Sequence, residues 1–202
     1  MKRKAETTSA PVPNEPRTYT QRVRAEQAED ASARILEAAE RLFSREPLDH
    51  VTLDTIAREA GVSVPTLQRR HGSKEGIFWA VAEHVKDRIA SQRAQPVLGA
   101  TDANLAKLVT HYELEGRTVW HLLRQEEDSP LLASALTEAR ALHRRWVEAA
   151  FGKGTRERTD ALVAATDLFL WKLLRLDLGR SERAVIAVMT RLVEGIVNGG
   201  NP

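Results

Sequence analysis

The chain has no cysteine among its 202 residues, which excludes a disulfide framework and any thiolate chemistry and is compatible with a reducing compartment. No stretch approaches the roughly 18–20 consecutive apolar residues of a membrane span. The N-terminus begins with basic residues, but no apolar segment follows them, which argues against a secretory signal. Period-two alternation never persists long enough for a strand, and no internal repeat is found. Charge of one sign is also scarce in sum: 30 Lys and Arg face 28 Asp and Glu, a formal net charge of +2. Together these absences point to a soluble, cytoplasmic, all-helical protein that is no general polycation.

What the chain does have is a 42% hydrophobic share, enough for a real core, and charge that is unevenly placed. Residues 1–24 hold six cations (Lys2, Arg3, Lys4, Arg17, Arg22 and Arg24) against Glu6 and Glu15. With Pro11, Pro13 and Pro16 and no apolar periodicity, residues 1–28 are expected to be a disordered extension. Such an arm is either simply solvated or follows a polyanion.

From about Asp30 the pattern is helical. Ile35, Ala38, Ala39, Leu42 and Phe43 form one apolar stripe, and Pro47 follows its end. Thr52 is placed to cap a second helix with Asp54 in its first turn, and Gly61 sits where a residue of positive φ is wanted. Ser63 and Pro65 open a third helix that Gly72 closes after barely two turns. Ser73 caps a fourth, which runs to about Arg93. Pro96 and Gly99 mark a break, and further helices are expected over 102–127, 130–151, 157–178 and 181–197. The organisation read from these signals is an arm (1–28), a helical head with a linking fourth helix (29–93) and a helical body (94–202).

The third helix is a poor core helix. In IAREAGVSVPTLQRRHGSK its one strong apolar anchor is Leu67, with Val64 and His71 flanking it on the inward side. Pro65 and Arg69 point nearly opposite, Thr66 and Gln68 lie on the shoulders, and Arg70 stays nearer the protein. Two short helices joined by a tight glycine turn match a helix-turn-helix layout. The outward hydroxyl, amide and guanidinium groups are those that reach base edges and phosphates in a major groove. The competing interpretation is a solvated surface helix.

Residues 35–78, ILEAAERLFSREPLDHVTLDTIAREAGVSVPTLQRRHGSKEGIF, resemble the N-terminal domain of the TetR family of bacterial transcriptional regulators. The resemblance implies an all-α fold, with a three-helix helix-turn-helix head for DNA and a body that dimerises and usually binds a small effector. By position it implies that Thr52 and Ser63 lie at the DNA face and that Val64, Pro65, Thr66, Gln68, Arg69 and Arg70 meet bases or backbone. Lys74 would hold a phosphate at a helix N-terminus. Gln68 stands where the family usually has Tyr, His71 where Phe is usual, and Pro47 where Gly is common. His71 is expected to be a satisfied, partly buried histidine.

Within 161–178 apolar residues occur on nearly every side, and 185–197 shows two apolar faces, so both segments need more cover than one stripe gives. The residues expected at a dimer interface are Leu170, Leu174, Val185, Met189, Leu192 and Ile196; the resemblance implies a four-helix bundle shared by two subunits. Tyr112, Trp120, Leu123, Trp146, Phe169 and Trp171 are candidate walls of an effector site. His111, His121, His143 and Asp167 are candidate polar groups. His111 and Glu115, four apart, are too few for a metal site, and no cofactor is expected.

The expected partners are a palindromic DNA duplex, a second copy of the chain and a small effector, with no membrane. Two other classes remain: a helical adaptor that dimerises without DNA, and a hydrolase using His and Asp of the body. The hydrolase lacks a nucleophile elbow, a metal-ligand cluster and a phosphate loop.

Overall fold

The computed structural model describes residues 15–199, and the side chains of residues 29–199. Among these the chain is helical throughout, with no strand. No described helix is long and apolar enough to cross a membrane.

Helix α1 (Glu15–Phe43) starts fifteen residues before the expected Asp30. This corrects the expectation of disorder for 15–28; the arm residues before Glu15 lie outside the described residues. The physical reason is propensity: Arg, Gln, Glu and Ala dominate 21–28, and Pro16 sits in the first turn, where it removes no helical hydrogen bond. Searching for an apolar stripe misses such a polar helix. The stripe itself is as expected, with Ile35, Ala38, Ala39 and Phe43 buried.

Local signals shape the rest of the head. Helix α2 (Leu53–Ala60) opens with a reciprocal cap: Thr52 Oγ1 accepts the Thr55 N–H at 3.2 Å, and Thr55 Oγ1 accepts the Thr52 N–H at 3.0 Å. It closes at Gly61, whose φ of 65° a side chain would strain. Helix α3 (Val64–His71) is capped by Ser63, and α4 (Lys74–Arg93) by Ser73. The head core gathers Ile35, Phe43, Ile56, Leu67 and Ile77, all at most 4% exposed. Its cluster also takes Leu132 and Leu136 from the body.

In the body, α5 (Thr101–Leu123) and α6 (Pro130–Phe151) are followed by a broken segment. The single helix expected over 157–178 is three pieces: α7 (Arg156–Thr166), α8 (Leu168–Lys172) and a π turn (Leu173–Asp177). Asp167 makes the break. Its backbone is extended (ψ 155°), and its Oδ1 accepts the Phe169 N–H at 2.9 Å, capping α8. Helix α9 (Glu182–Gly199) packs on α5 and α7. A second cluster centres on Leu105, Leu108, Leu162, Trp171, Val185 and Met189. Gly116 on α5 lets the Trp171 ring lie against the backbone, since a Cβ there would sit 2.6 Å from that ring.

Candidate functional site

Leu67, fully buried, fixes α3 to the head, and the opposite side of the helix is open. Pro65, Gln68 and Arg69 are exposed; Val64, Thr66 and Arg70 are half-buried. The structure thus brings the expected residues of α3 to one outward-facing element. The hydroxyls beside them serve first as caps. Ser63 Oγ accepts the Thr66 N–H at 3.3 Å and lies 2.9 Å from Thr66 Oγ1. Thr52 Oγ1 is engaged with Thr55. Lys74 is tethered, its Nζ donating to the Leu48 carbonyl at 2.9 Å, which leaves two of its three N–H donors for another acceptor.

Two buried nitrogens here have no hydrogen-bond partner among the described residues: Arg70 Nε and His71 Nε2. His71 is therefore half-buried with its Nε2 unsatisfied, because the inward side of α3 offers that nitrogen no hydrogen-bond partner among the described residues. Burial, and then the neighbouring Arg70 charge, hold its pKa below the ordinary histidine value.

The candidate effector residues separate into two groups. His111, Tyr112, Trp146 and Trp171 meet in the body interior, where they are joined by His143, Thr166, Gln92 and Arg93. Tyr112 OH donates to the Thr166 carbonyl at 2.9 Å, and His111 Nδ1 lies 3.0 Å from Gln92 Oε1. His143 Nε2 is 3.1 Å from Thr166 Oγ1, which itself donates to the Leu162 carbonyl at 2.8 Å. Arg93 NH1 is 3.4 Å from His143 Nδ1. Burial first, and then the charge of Arg93, push both His111 and His143 down to about 3, so both rings are neutral. Burial pushes the Tyr112 phenol up.

The other candidates lie elsewhere. Phe169 is 53% exposed and packs edge-on against Trp120, so neither lines the interior cluster. The reason is the break at Asp167, which rotates Phe169 outward, and Asp167 itself is a helix cap. Leu123 lies between the two apolar clusters. His121 sits beside the Glu46 carbonyl at 3.3 Å, facing the head. Among the described residues no group of three or more His, Asp or Glu gathers as for a metal, and Glu115 pairs with Arg88 at 3.1 Å.

Three expected interface residues are corrected. Val185 and Met189 are fully buried and Leu174 nearly so, all within the chain's own body. The apolar arc of α9 is wider than one face, and its own core covers the Val185–Met189–Val193 strip. Leu192 stays 43% exposed, and Leu170 and Ile196 are half-buried. Leu173, 46% exposed, was not foreseen; the π turn brings it outward. Arg93 and Gln92 were missed as well, for at the end of a linking helix they read as ordinary solvated residues.

Comparison with known proteins adds a second line. Residues 35–81 match the family described as bacterial regulatory proteins, tetR family. No curated protein matches the chain in sequence. Among solved structures, GusR of Salmonella enterica superposes with a TM-score of 0.66 at 17% identity, over 83% of this chain and 95% of that one. A tetR-family regulator from Streptomyces coelicolor gives 0.62 at 21% identity, over 83% and 79%. The multidrug-binding protein EbrR, solved with imidazole, gives 0.57 at 22% identity, over 79% and 88%. At these identities the likeness speaks for the fold, while the match over 35–81 speaks for the head. The head, over residues 35–81, thus matches the tetR family of bacterial regulatory proteins, and the rest of the chain shares the fold of these solved structures.

Proposed function

We propose that this chain is a homodimeric, cytoplasmic repressor that binds a palindromic DNA operator and is released by a small-molecule effector. The observation that carries the DNA-binding part is the open face of α3, where Pro65, Gln68 and Arg69 stand clear of a helix seated by buried Leu67 with Val64 beside it. In this reading residues 29–93 form the DNA-binding unit with its linking helix, and residues 94–202 form the dimerising and effector-binding unit. Arg69 and Gln68 reach base edges or phosphates, with Val64, Pro65 and Thr66 at the closest approach. Thr52, Ser63, Arg70 and Lys74 meet the sugar-phosphate backbone through hydroxyl, guanidinium and ammonium groups.

Dimerisation is supported by the apolar surface left uncovered at Leu173 and Leu192, with Leu170 and Ile196 beside it. Two-fold symmetry would set two α3 helices about 34–36 Å apart, one helical turn of DNA. The effector is supported by the polar cluster of the interior, and by the precedent of EbrR with imidazole. Arg93, at one end of α4, belongs to that cluster, while Lys74 opens the other end at the head. A ligand that favours a different tilt of α4 shifts the population away from the DNA-bound spacing.

The test is titration of duplex fragments from around the chain's own gene across a salt series. A site-specific complex whose log Kd rises with log salt, by about 0.9 per phosphate neutralised, is the expected result. Absence of that dependence on every duplex leaves the adaptor reading in its place.

A further inference from the structure

Arg93 differs from the other partly buried arginines of the body. Arg88 is held by Glu40 and Glu115, Arg175 by Glu113, and Arg158 by the carbonyls of Phe151 and Gly152. Arg93 has no carboxylate within salt-bridge distance among the described residues. Its contacts are a long 3.4 Å approach to His143 Nδ1 and the Tyr112 side chain, whose hydroxyl feels the guanidinium and whose ring centre lies 5.6 Å from the guanidinium carbon; its Nε is buried without a partner. A second orphan shares its His143 neighbour. Trp146 Nε1 is also buried without a partner, and the Trp146 ring stacks on His143 at 6.0 Å and 11°. Both orphans are donors, so what is missing from this cluster is an acceptor.

We propose that this cluster is the anion-binding end of the effector site, and that the effector is a small monocarboxylic acid with a flat or apolar body, held by Arg93 and the indole N–H of Trp146. The proposal rests on the effector-release reading above and specifies its ligand. Charge balance selects a monoanion. His111 and His143 are neutral, Arg88 nearby is already matched by Glu40 and Glu115, and the Asp167 carboxylate acts on Tyr112. Arg93 is therefore the cation of the cluster left to match, and a dianion would leave a net negative charge buried. A neutral ligand would leave that cation unmatched. His143 fixes the orientation of the site: its Nε2–H donates to Thr166 Oγ1, so Nδ1 turns its lone pair to Arg93 and cannot itself neutralise the charge. The rings of Tyr112, Trp146 and His143 surround the two donors and would part to admit the apolar part of the ligand. A carboxylate has two oxygens with lone pairs enough to accept from both donors beside His143, which would remove the penalty each carries.

The experiment uses the full chain without DNA. Benzoate, 2-naphthoate and decanoate are each compared with the corresponding primary amide by calorimetry and thermal melting. At least one acid is expected to bind about tenfold or more tightly than its amide, since one group of the pair matches the cation and the other does not. Arg93→Gln should abolish that preference. Trp146→Phe, which keeps a ring and removes only the N–H, should weaken the acid several-fold and the amide less, since the hydrogen bond to a charged acceptor is the stronger, so one variant decides if the other does not fold. Equal binding of acids and amides, binding by none of the acids, or a preference that survives Arg93→Gln each overturns the proposal. Duplex release is read separately. An acid that binds through Arg93 but leaves the operator complex intact overturns effector release and keeps the anion site. Release by amides alone does the reverse.

Discussion

The Gln125 side-chain oxygen accepts the backbone N–H of Leu48 at 2.8 Å, joining the region just past α5 to the turn between α1 and α2. The Leu48 carbonyl is held in turn by Lys74 Nζ at 2.9 Å. One residue of the head is thus gripped on its donor by the body and on its acceptor by α4. Gln125→Ala leaves a part-buried N–H unpaired, at a cost of about 1–2 kcal/mol. The expected outcome is a lower urea midpoint at unchanged m-value, together with a weaker effect of effector on operator affinity. An unaltered midpoint and unaltered coupling would remove the clasp from the account.

At the DNA face the two cations should behave differently. Arg69→Ala is expected to cost about 1–3 kcal/mol on the operator and to relax the base preference at the position it reads. Lys74→Ala is expected to weaken all duplexes alike and to lower the salt slope by about 0.9. Anisotropy titrations at three salt concentrations separate the two; operator affinity like wild type in both variants would mean that the docking face is elsewhere.

Two residues one turn apart on α9, Met189 and Leu192, separate oligomerisation from folding. Leu192 is 43% exposed, whereas Met189 is completely buried in its own chain. Leu192→Glu should therefore yield folded monomers with much weaker operator binding, seen as halved mass in sedimentation at retained helical circular dichroism. Met189→Glu should instead unfold the body, because an unpaired charge would enter the core. Dimers that persist in Leu192→Glu would refute the interface proposed for α9.

The neutral histidines predict acid sensitivity. His111 and His143 take up protons only near pH 3 when folded but near their ordinary 6.5 when unfolded. Between those values the unfolded state binds more protons, so stability falls as the pH is lowered through that window and is fully present above it. Each ring contributes a slope of up to about 1.4 kcal/mol per pH unit. Denaturant midpoints measured from pH 7 to 4 should fall, and the fall should be shallower in His143→Gln. A flat profile in the wild type would show that these rings are not held neutral by the fold.

The head was legible in the sequence because its signals are local. Thr52, Ser63 and Ser73 each cap a helix through a hydroxyl three residues from its partner, and Gly61 takes the left-handed turn that its position requires. The body was less legible because its decisive features are relations between distant residues. An Asp within an apolar run reads as one polar helix position, and only the extended backbone at Asp167 turns it into a break. The wheel of α9 shows a broad apolar arc but not which edge of it the chain covers, so Val185, Met189 and Leu192 looked alike. Arg93 has no motif at all. What singles it out is that α5, through Tyr112, and α6, through His143, close on it without bringing a carboxylate within salt-bridge distance.

Leu132 and Leu136, from the opening turns of α6, belong to the hydrophobic cluster that forms the core of the head. A fragment cut after Arg93 would lose both leucines together with the Gln125 clasp, exposing the wall they line. The recognition unit of this protein is therefore a composite, finished by a segment some forty residues downstream of its last own helix. Evolution cannot exchange such a head for another as a cassette without also rewriting the first turns of the helix that seals it.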